Sequence, residues 1–300
     1  NFRRYTKAGI QMTFNLDSDT SVITQLVSKG ENDFETKAEW MYLKHNLGNG
    51  FTGKMGRLRK PNYLLSEYFD VGYAMPWTQA PVEVYGVLEA SANFEAIDLS
   101  YDFDLTDDWS ATAQVQYGRA ITVGSDTTSD NLIALNYSMT NGELTFRAGY
   151  SQADVTIKKG STLEGQITGL DGAIANTNLS GQQVGSSTLG AFAGVAAMYD
   201  DGTILAITEY TFLTVDGYFG DQDGYYAMGG YRIGQWMPYL TYAFEETTDN
   251  SDRVVTSLIT STGSAAGDAA TIAGTNAALA PTFAALNLDN EQTRTTVGVR

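Results

Sequence analysis

Residues 97–105 read Ile-Asp-Leu-Ser-Tyr-Asp-Phe-Asp-Leu, so every odd position is apolar and every even one is polar. A period of two belongs to a β-strand with one face in an apolar medium and the other in a polar one. After the turn Thr106-Asp107-Asp108 the alternation resumes: Trp109, Ala111, Ala113, Val115 and Tyr117 against Ser110, Thr112, Gln114 and Gln116. This is a hairpin, and it recurs. Ile133, Leu135, Tyr137 and Met139 lead to Asn141-Gly142, a tight-turn dipeptide, and Leu144, Phe146, Ala148 and Tyr150 return. A strand near 190–200 ends at Asp200-Asp201-Gly202; Ile204 to Phe212, Tyr225 to Ile233, Leu240 to Phe244 and Thr295 to Val299 repeat the pattern, and 8–16, 21–29, 37–47 and 51–59 form two earlier hairpins.

The count is thirteen strands, each close to the ~9–11 residues a tilted transmembrane strand needs. The connections sort by length. Those at 17–20, 48–50, 106–108, 140–142, 200–202 and 234–235 are tight; those at 30–36, 60–90, 120–130, 152–189, 216–223 and 247–291 are longer. Short turns at one rim and long loops at the other describe an outer-membrane barrel. Alternation alone also fits jelly rolls and sandwiches, but loop sorting and aromatic residues near strand ends favour the barrel. Trp40, Trp109 and Trp236 are expected in the interfacial girdles. The reading is all-β, one transmembrane antiparallel β-barrel over 1–300. Single-chain bacterial barrels use even strand numbers, so strands are expected beyond both ends.

Composition excludes other classes. Hydrophobic residues are 43%, yet no run reaches the ~20 residues of a membrane helix. With no cysteine and one histidine, His45, disulfide frameworks, thiolate metal sites and multi-histidine centres are ruled out. A triad would need His45, near a tight turn, where a rim role is expected; barrel enzymes that use a wall histidine keep that alternative open. Asp221–Gly224 and Asp249–Asp252 lack the spacing of a calcium loop. The net charge of −17 excludes a basic nucleic-acid footprint. No catalytic group, cofactor or metal is assigned.

Between 37 and 86 the sequence becomes more specific. Ala38-Glu39-Trp40-Met41-Tyr42-Leu43 is followed by Gly56-Arg57-Leu58-Arg59-Lys60-Pro61, then by Ser66 to Trp77, including Glu67-Tyr68-Phe69-Asp70, and by Pro81-Val82-Glu83-Val84-Tyr85-Gly86. This stretch resembles Gram-negative (proteobacterial) outer-membrane general porins of the trimeric, sixteen-stranded type. The resemblance implies one strand before Asn1 and two after Arg300, a homotrimer, outer-membrane lipid and lipopolysaccharide as surroundings, and a passive channel for small hydrophilic solutes and ions. It also implies that loop 60–90 folds into the barrel and narrows it. The loop's own residues agree: three of the five prolines lie there, with Leu64, Leu65, Tyr68, Phe69, Val71, Tyr73 and Trp77, more apolar surface than an exposed loop can use. A loop making trimer contacts or dipping into the membrane is the alternative.

Charges set what a pore selects. Parity puts Arg57 and Arg59 on one face of their strand, read as the lumen side, with Leu58 on the other; Arg147, Arg232, Arg294 and Arg300 share lumen parity. Lys54 goes to the other face or the rim, and Lys60 begins the loop. Across from the arginines stand Glu67, Asp70 and Glu83, giving a transverse field at the constriction; the alternative for Arg147 and Arg232 is a wall-stiffening ion pair. Asp98, Asp102 and Asp104, with Glu209 and Glu245, line the lumen and point to cation preference. A share of the −17 in outer loops, bridged to lipid phosphates by divalent ions, is equally consistent. Loops 152–189 and 247–291 are long and extracellular, with an Ala-rich helix expected over 264–285. A substrate-selective channel and a plugged structural or adhesive barrel remain as alternative functions.

Overall fold

The computed structural model describes residues 6–86, 88, 93–121, 126–248, 253–285 and 291–300. The turn at Asp249–Asp252 lies outside them. Thirteen strands form one antiparallel sheet in strict sequence order. They are β1 (Lys7–Asn15), β2 (Thr20–Lys29), β3 (Thr36–Gly48), β4 (Phe51–Arg59), β5 (Asn93–Asp104), β6 (Ser110–Ile121), β7 (Thr127–Thr140), β8 (Leu144–Ile157), β9 (Ser187–Asp200), β10 (Ile204–Val215), β11 (Gln222–Tyr231), β12 (Pro238–Thr247) and β13 (Glu291–Val299). Every ladder joins chain neighbours, and among the described residues none joins β1 to β13, so these are the sheet's edges. No helix is long and apolar enough to cross a membrane among the described residues.

The alternation becomes two distinct faces. On β5, Ile97, Leu99 and Tyr101 are exposed while Phe94, Ala96, Asp98 and Ser100 between them are buried. A soluble protein would bury the apolar set; here it faces outward and the mixed set faces in, as a barrel in lipid requires. Aromatic rings gather at the ends of the outer face. Phe51 stacks on Tyr101 at 4.4 Å and Trp109 on Phe146 at 6.1 Å beside the short turns. Tyr210, Phe212, Tyr225, Tyr242 and Phe244 cluster toward the long-loop ends of β10–β12. Trp236 is 67% exposed beside its short turn. Trp40, expected in a girdle, instead pairs with buried Gln25 and shares its strand face with Tyr42, which packs inward against Leu58 and Phe94.

Side-chain oxygens build the short turns. Asn141 Oδ1 accepts from the amides of Glu143 (3.1 Å) and Leu144 (2.7 Å), with Gly142 at φ 95°. Asp201 Oδ1 does the same for Thr203 (2.8 Å) and Ile204 (2.6 Å), and Asp17 for Asp19 (2.9 Å) and Thr20 (2.7 Å). These amides, that of Ile204 first for Asp201 and that of Asp19 first for Asp17, hold both carboxyls below their ordinary value. The short residue between two strands therefore carries its own turn geometry.

The long loops are more ordered than their composition suggests. β8 and β9 extend to Ile157 and from Ser187, trimming the connection expected over 152–189. That connection holds α2 (Thr162–Ile174), which follows the short helical turn α1 (Val82–Tyr85) in chain order; α3 (Ala265–Ala285) is the expected Ala-rich helix. Ser161 caps α2, accepting from Glu164 N (3.1 Å), the pattern of a capping box. Ile167, Leu170 and Ile174 of α2 pack with Tyr218, Val255 and Leu279 in one cluster, so three outer loops share a core.

Leu135 is 47% exposed in the middle of β7. Leu135→Arg is expected to destabilise the protein in liposomes by ~2–4 kcal/mol, read by urea unfolding; a change under ~0.5 kcal/mol would show that this face does not meet lipid.

Candidate functional site

Residues 60–86 leave the end of β4 and lie against the inner face of the sheet. The wall has been shaped for them. Gly149 and Gly194 are ladder partners on β8 and β9. A Cβ on Gly149 would stand 3.3 Å from Pro61 O, and one on Gly194 3.5 Å from Asn62 O. A Cβ on Gly224 would come within 2.7 Å of Glu83 O, closer than such atoms pack, so glycine here lets the loop backbone touch the strand.

Apolar contact supplies the area. Tyr63, Leu64, Leu65, Met75, Trp77, Val84 and Tyr85 are buried with Phe192, Leu205, Ile207, Tyr226, Met228, Met237 and Ala243 of the wall. Trp77 meets Tyr226 edge-on at 5.3 Å, and Tyr63 meets Phe192 edge-on at 5.2 Å. Each such side chain contributes ~1.5–3 kcal/mol, against ~1–2 kcal/mol for every residue whose backbone is fixed. Burial alone therefore leaves a long loop loosely held, and polar anchors decide its path.

Those anchors are inward-facing strand residues. Glu209, 2% exposed, accepts from Leu64 N (2.9 Å), Tyr85 Oη (3.0 Å) and Tyr226 Oη (3.2 Å). Arg147 donates to Pro61 O (3.0 Å) and Leu64 O (3.2 Å). Trp77 Nε1 donates to Thr241 Oγ1 (2.7 Å), Arg294 pairs with Glu83 (2.9 Å), and Arg300 donates to Met75 O. On the opposite wall, Asp70 receives Arg59 (2.5 Å), Lys29 (2.9 Å) and Lys7 (3.9 Å). Arg59 also reaches Glu39 (3.1 Å) and Ser66 O (3.2 Å). The loop is thus tied to β1, β2 and β4 at one side and to β8–β13 at the other, and crosses the interior between them. Burial pushes the Asp70 carboxyl up, but Arg59 and Lys29 outweigh it and hold it below its ordinary value. Burial raises the Tyr85 phenol well above its usual range and lowers Lys60 to about 8.

The expected site residues scatter over several settings. Arg59, Asp70, Glu83, Arg147, Arg294 and Glu209 all hold the loop. Glu67 is exposed on it. Arg232 makes a two-pronged pair with Asp200 (2.5 and 2.8 Å) beside the short turns. Asp98 is buried, accepting from Gln114 (2.5 Å) and Gln116 (2.7 Å) with Lys54 3.8 Å away, and Glu245 is buried against Gln292 (2.5 Å). Asp102 and Asp104 are exposed near the short turns, Asp102 accepting from Thr112 (2.6 Å).

Three face assignments on β4, those of Arg57, Leu58 and Lys54, are reversed. Arg57 is in register with Glu95 and Met41 and bonds Glu95 at 2.7 Å, on the outer face with Met55 and Ile97. Leu58 is the inward residue, packed with Phe94, Ala96, Leu132 and Ala134, and Lys54 is inward beside Asp98. The expectation equated the inner face with the polar one. Where the inner wall is itself packed, an apolar side chain belongs inside, and a charged pair can stand outside above the apolar band. Lys7 and Lys29, partners across one hairpin, escaped notice. Their signal was equal register opposite an acidic loop, which needs the pairing to be known.

No protein-family model matches the sequence, and no curated relative does. Solved structures do match in fold. Salmonella typhi OmpF, in complex with daunomycin, superposes with a TM-score of 0.54 at 13% identity, covering 81% of this chain and 71% of that one. Outer-membrane-expressed OmpT of Vibrio cholerae gives 0.52 at 14%, covering 82% and 69%, and the trimer form of in-vitro folded OmpT gives 0.50 at 15%, covering 80% and 69%. The chain has the fold of bacterial outer-membrane β-barrel proteins.

Glu209→Ala removes three hydrogen bonds, leaving Leu64 N unpaired at ~1–3 kcal/mol and the Tyr85 and Tyr226 phenols with only each other (3.4 Å); limited proteolysis is expected to cut 60–86 in the variant and spare it in the parent. Asp70 gives a pH signature. Because its folded pKa is depressed, its contribution is complete above the unfolded value of ~3.9 and is lost as pH falls through the lower folded value. Asp70→Asn is expected to flatten that acid limb in stability measured against pH.

Proposed function

We propose that the chain forms the wall of a passive, water-filled outer-membrane channel for small hydrophilic solutes and ions, a porin, in which residues 60–86 form the constriction. One observation supports the reading: the loop is held against both walls and leaves cavities beside it. Cavities of about 620 and 520 Å3 flank it, the first lined by Lys7, Lys29 and Arg300, the second by Asp200 and Arg232. Charged groups on both sides of a narrow, wet passage are what sieving by size and charge needs. A plugged structural barrel has no use for charged openings beside its plug.

Arg59 and Asp70 are buried against each other and Glu83 against Arg294, so the charges facing the openings are Lys7, Lys29 and Arg300 on one side of the loop and Asp200 and Arg232 on the other. Asp98, Glu209 and Glu245 are buried and paired, so cation preference falls to the open Asp102 and Asp104 and to the net −17. It is therefore mild and fades with salt. His45 is exposed and bonded to Thr20 Oγ1 (2.9 Å), a turn contact, and passive diffusion needs no reacting group. Backbone groups on the edges β1 and β13 require partners within hydrocarbon; closure as a sixteen-stranded barrel and assembly as a trimer are the forms the resemblance implies.

In planar bilayers the purified protein is expected to give large ohmic conductance in triplet steps, with a reversal potential slightly toward the cation potential at low salt. Glu209→Ala is expected to raise the noise or size of each step. Absence of conductance contradicts the channel.

A further inference from the structure

The cavity of about 620 Å3 has two unlike walls. One is apolar: half-buried Phe69, Ala80 and Val82 of the loop with Tyr239 of β12 and Val299 of β13, laid over the buried Trp77 and Tyr85. The other carries Lys7, Lys29 and Arg300, against one lining carboxylate, Glu31, which is exposed. Pairing inside the protein does not cancel this charge. Asp70 is shared by Arg59, Lys29 and Lys7, and Glu39 takes a share of Arg59 and Lys29 (3.7 Å). That sets three cations against two carboxylates. Arg300 donates to a neutral carbonyl, that of Met75. The cations also surround a ring: Lys7 and Lys29 Nζ each lie 5.8 Å from the Phe69 centroid and Arg59 Cζ lies 5.6 Å from it. In a chain of charge −17, this is a locally basic recess beside an apolar surface.

We infer that this cavity is a binding subsite for aromatic carboxylates, a planar apolar body on the apolar wall with its anionic group toward Lys7, Lys29 and Arg300. Its volume falls in the ~300–1,000 Å3 range of small-molecule sites. A bare anion would gain the charge but would meet an apolar wall in place of water. An aromatic cation would gain the wall but oppose the lysines. Only a solute with both features uses both walls. The subsite refines the channel reading by naming a solute class for the constriction.

Isothermal titration calorimetry on the full chain in detergent, and ion current in planar bilayers, test it with sodium benzoate, sodium acetate and benzylammonium chloride at low salt. Benzoate is expected to bind saturably and block current at a concentration about tenfold or more below the other two, a difference of ~1.4 kcal/mol. Lys7→Gln with Arg300→Gln is expected to weaken benzoate about tenfold while acetate changes little. Both residues are partly exposed, and Lys29 and Arg59 still hold Asp70. Current without benzoate binding, equal binding of benzylammonium, or an unchanged benzoate affinity in the double variant overturns the subsite. Benzoate binding by calorimetry without any current overturns the channel and leaves the subsite standing.

Discussion

A strand has two faces, and a bilayer claims one of them. Everything else in this molecule follows from that division. With Ile97, Leu99, Tyr101, Leu135 and Tyr150 committed outward, every group that needs water, charge or a hydrogen-bond partner must be served by the inner face or the rims. Backbone groups are served by ladders between chain neighbours, which is why the strands run in strict order and reverse through turns that side-chain oxygens can close. Inner polar side chains are served by one another or by the loop brought in to meet them.

That loop is a tie between walls. Its apolar side chains provide area, but the position of its backbone is written by inner-face residues: small where it must lie close (Gly149, Gly224), charged where its carbonyls and amides need partners (Arg147, Glu209). Glu209 shows the logic. A carboxylate buried in a wall is costly unless its acceptors are filled. The amide of Leu64 and the phenols of Tyr85 and Tyr226 fill them, so the loop satisfies the wall as much as the wall satisfies the loop. Asp70 repeats this in reverse: the acid is on the loop and the cations are on the wall.

This division also explains what the sequence revealed. Strand number, hairpin pairing and the sorting of turns were legible, because period-two alternation and Asn-Gly or Asp-Asp-Gly turns are local. The inward loop was legible from its surplus of apolar residues and prolines. The face of Arg57 was not. Alternation says which residues share a side, but not which side is wet, and near the loop the inner wall is packed and apolar around Leu58 and Phe94. Trp40 stands inside for the same reason. The roles of Lys7 and Lys29 depend on contacts across more than forty residues of chain to Asp70, a distance no pattern spans. Helix α2 is short and Gly-rich, and takes its order from packing against Tyr218 and Leu279 rather than from propensity.

The central claim is that residues 60–86 cross the interior and are held against the far wall. The chain has no cysteine, so a pair can be introduced cleanly where Glu83 meets Arg294 at 2.9 Å. Glu83→Cys with Arg294→Cys, treated in outer membranes with a short bifunctional methanethiosulfonate, is expected to give a loop-closed species of altered gel mobility. Ready labelling of each cysteine alone, with no crosslink in the pair, would contradict the account.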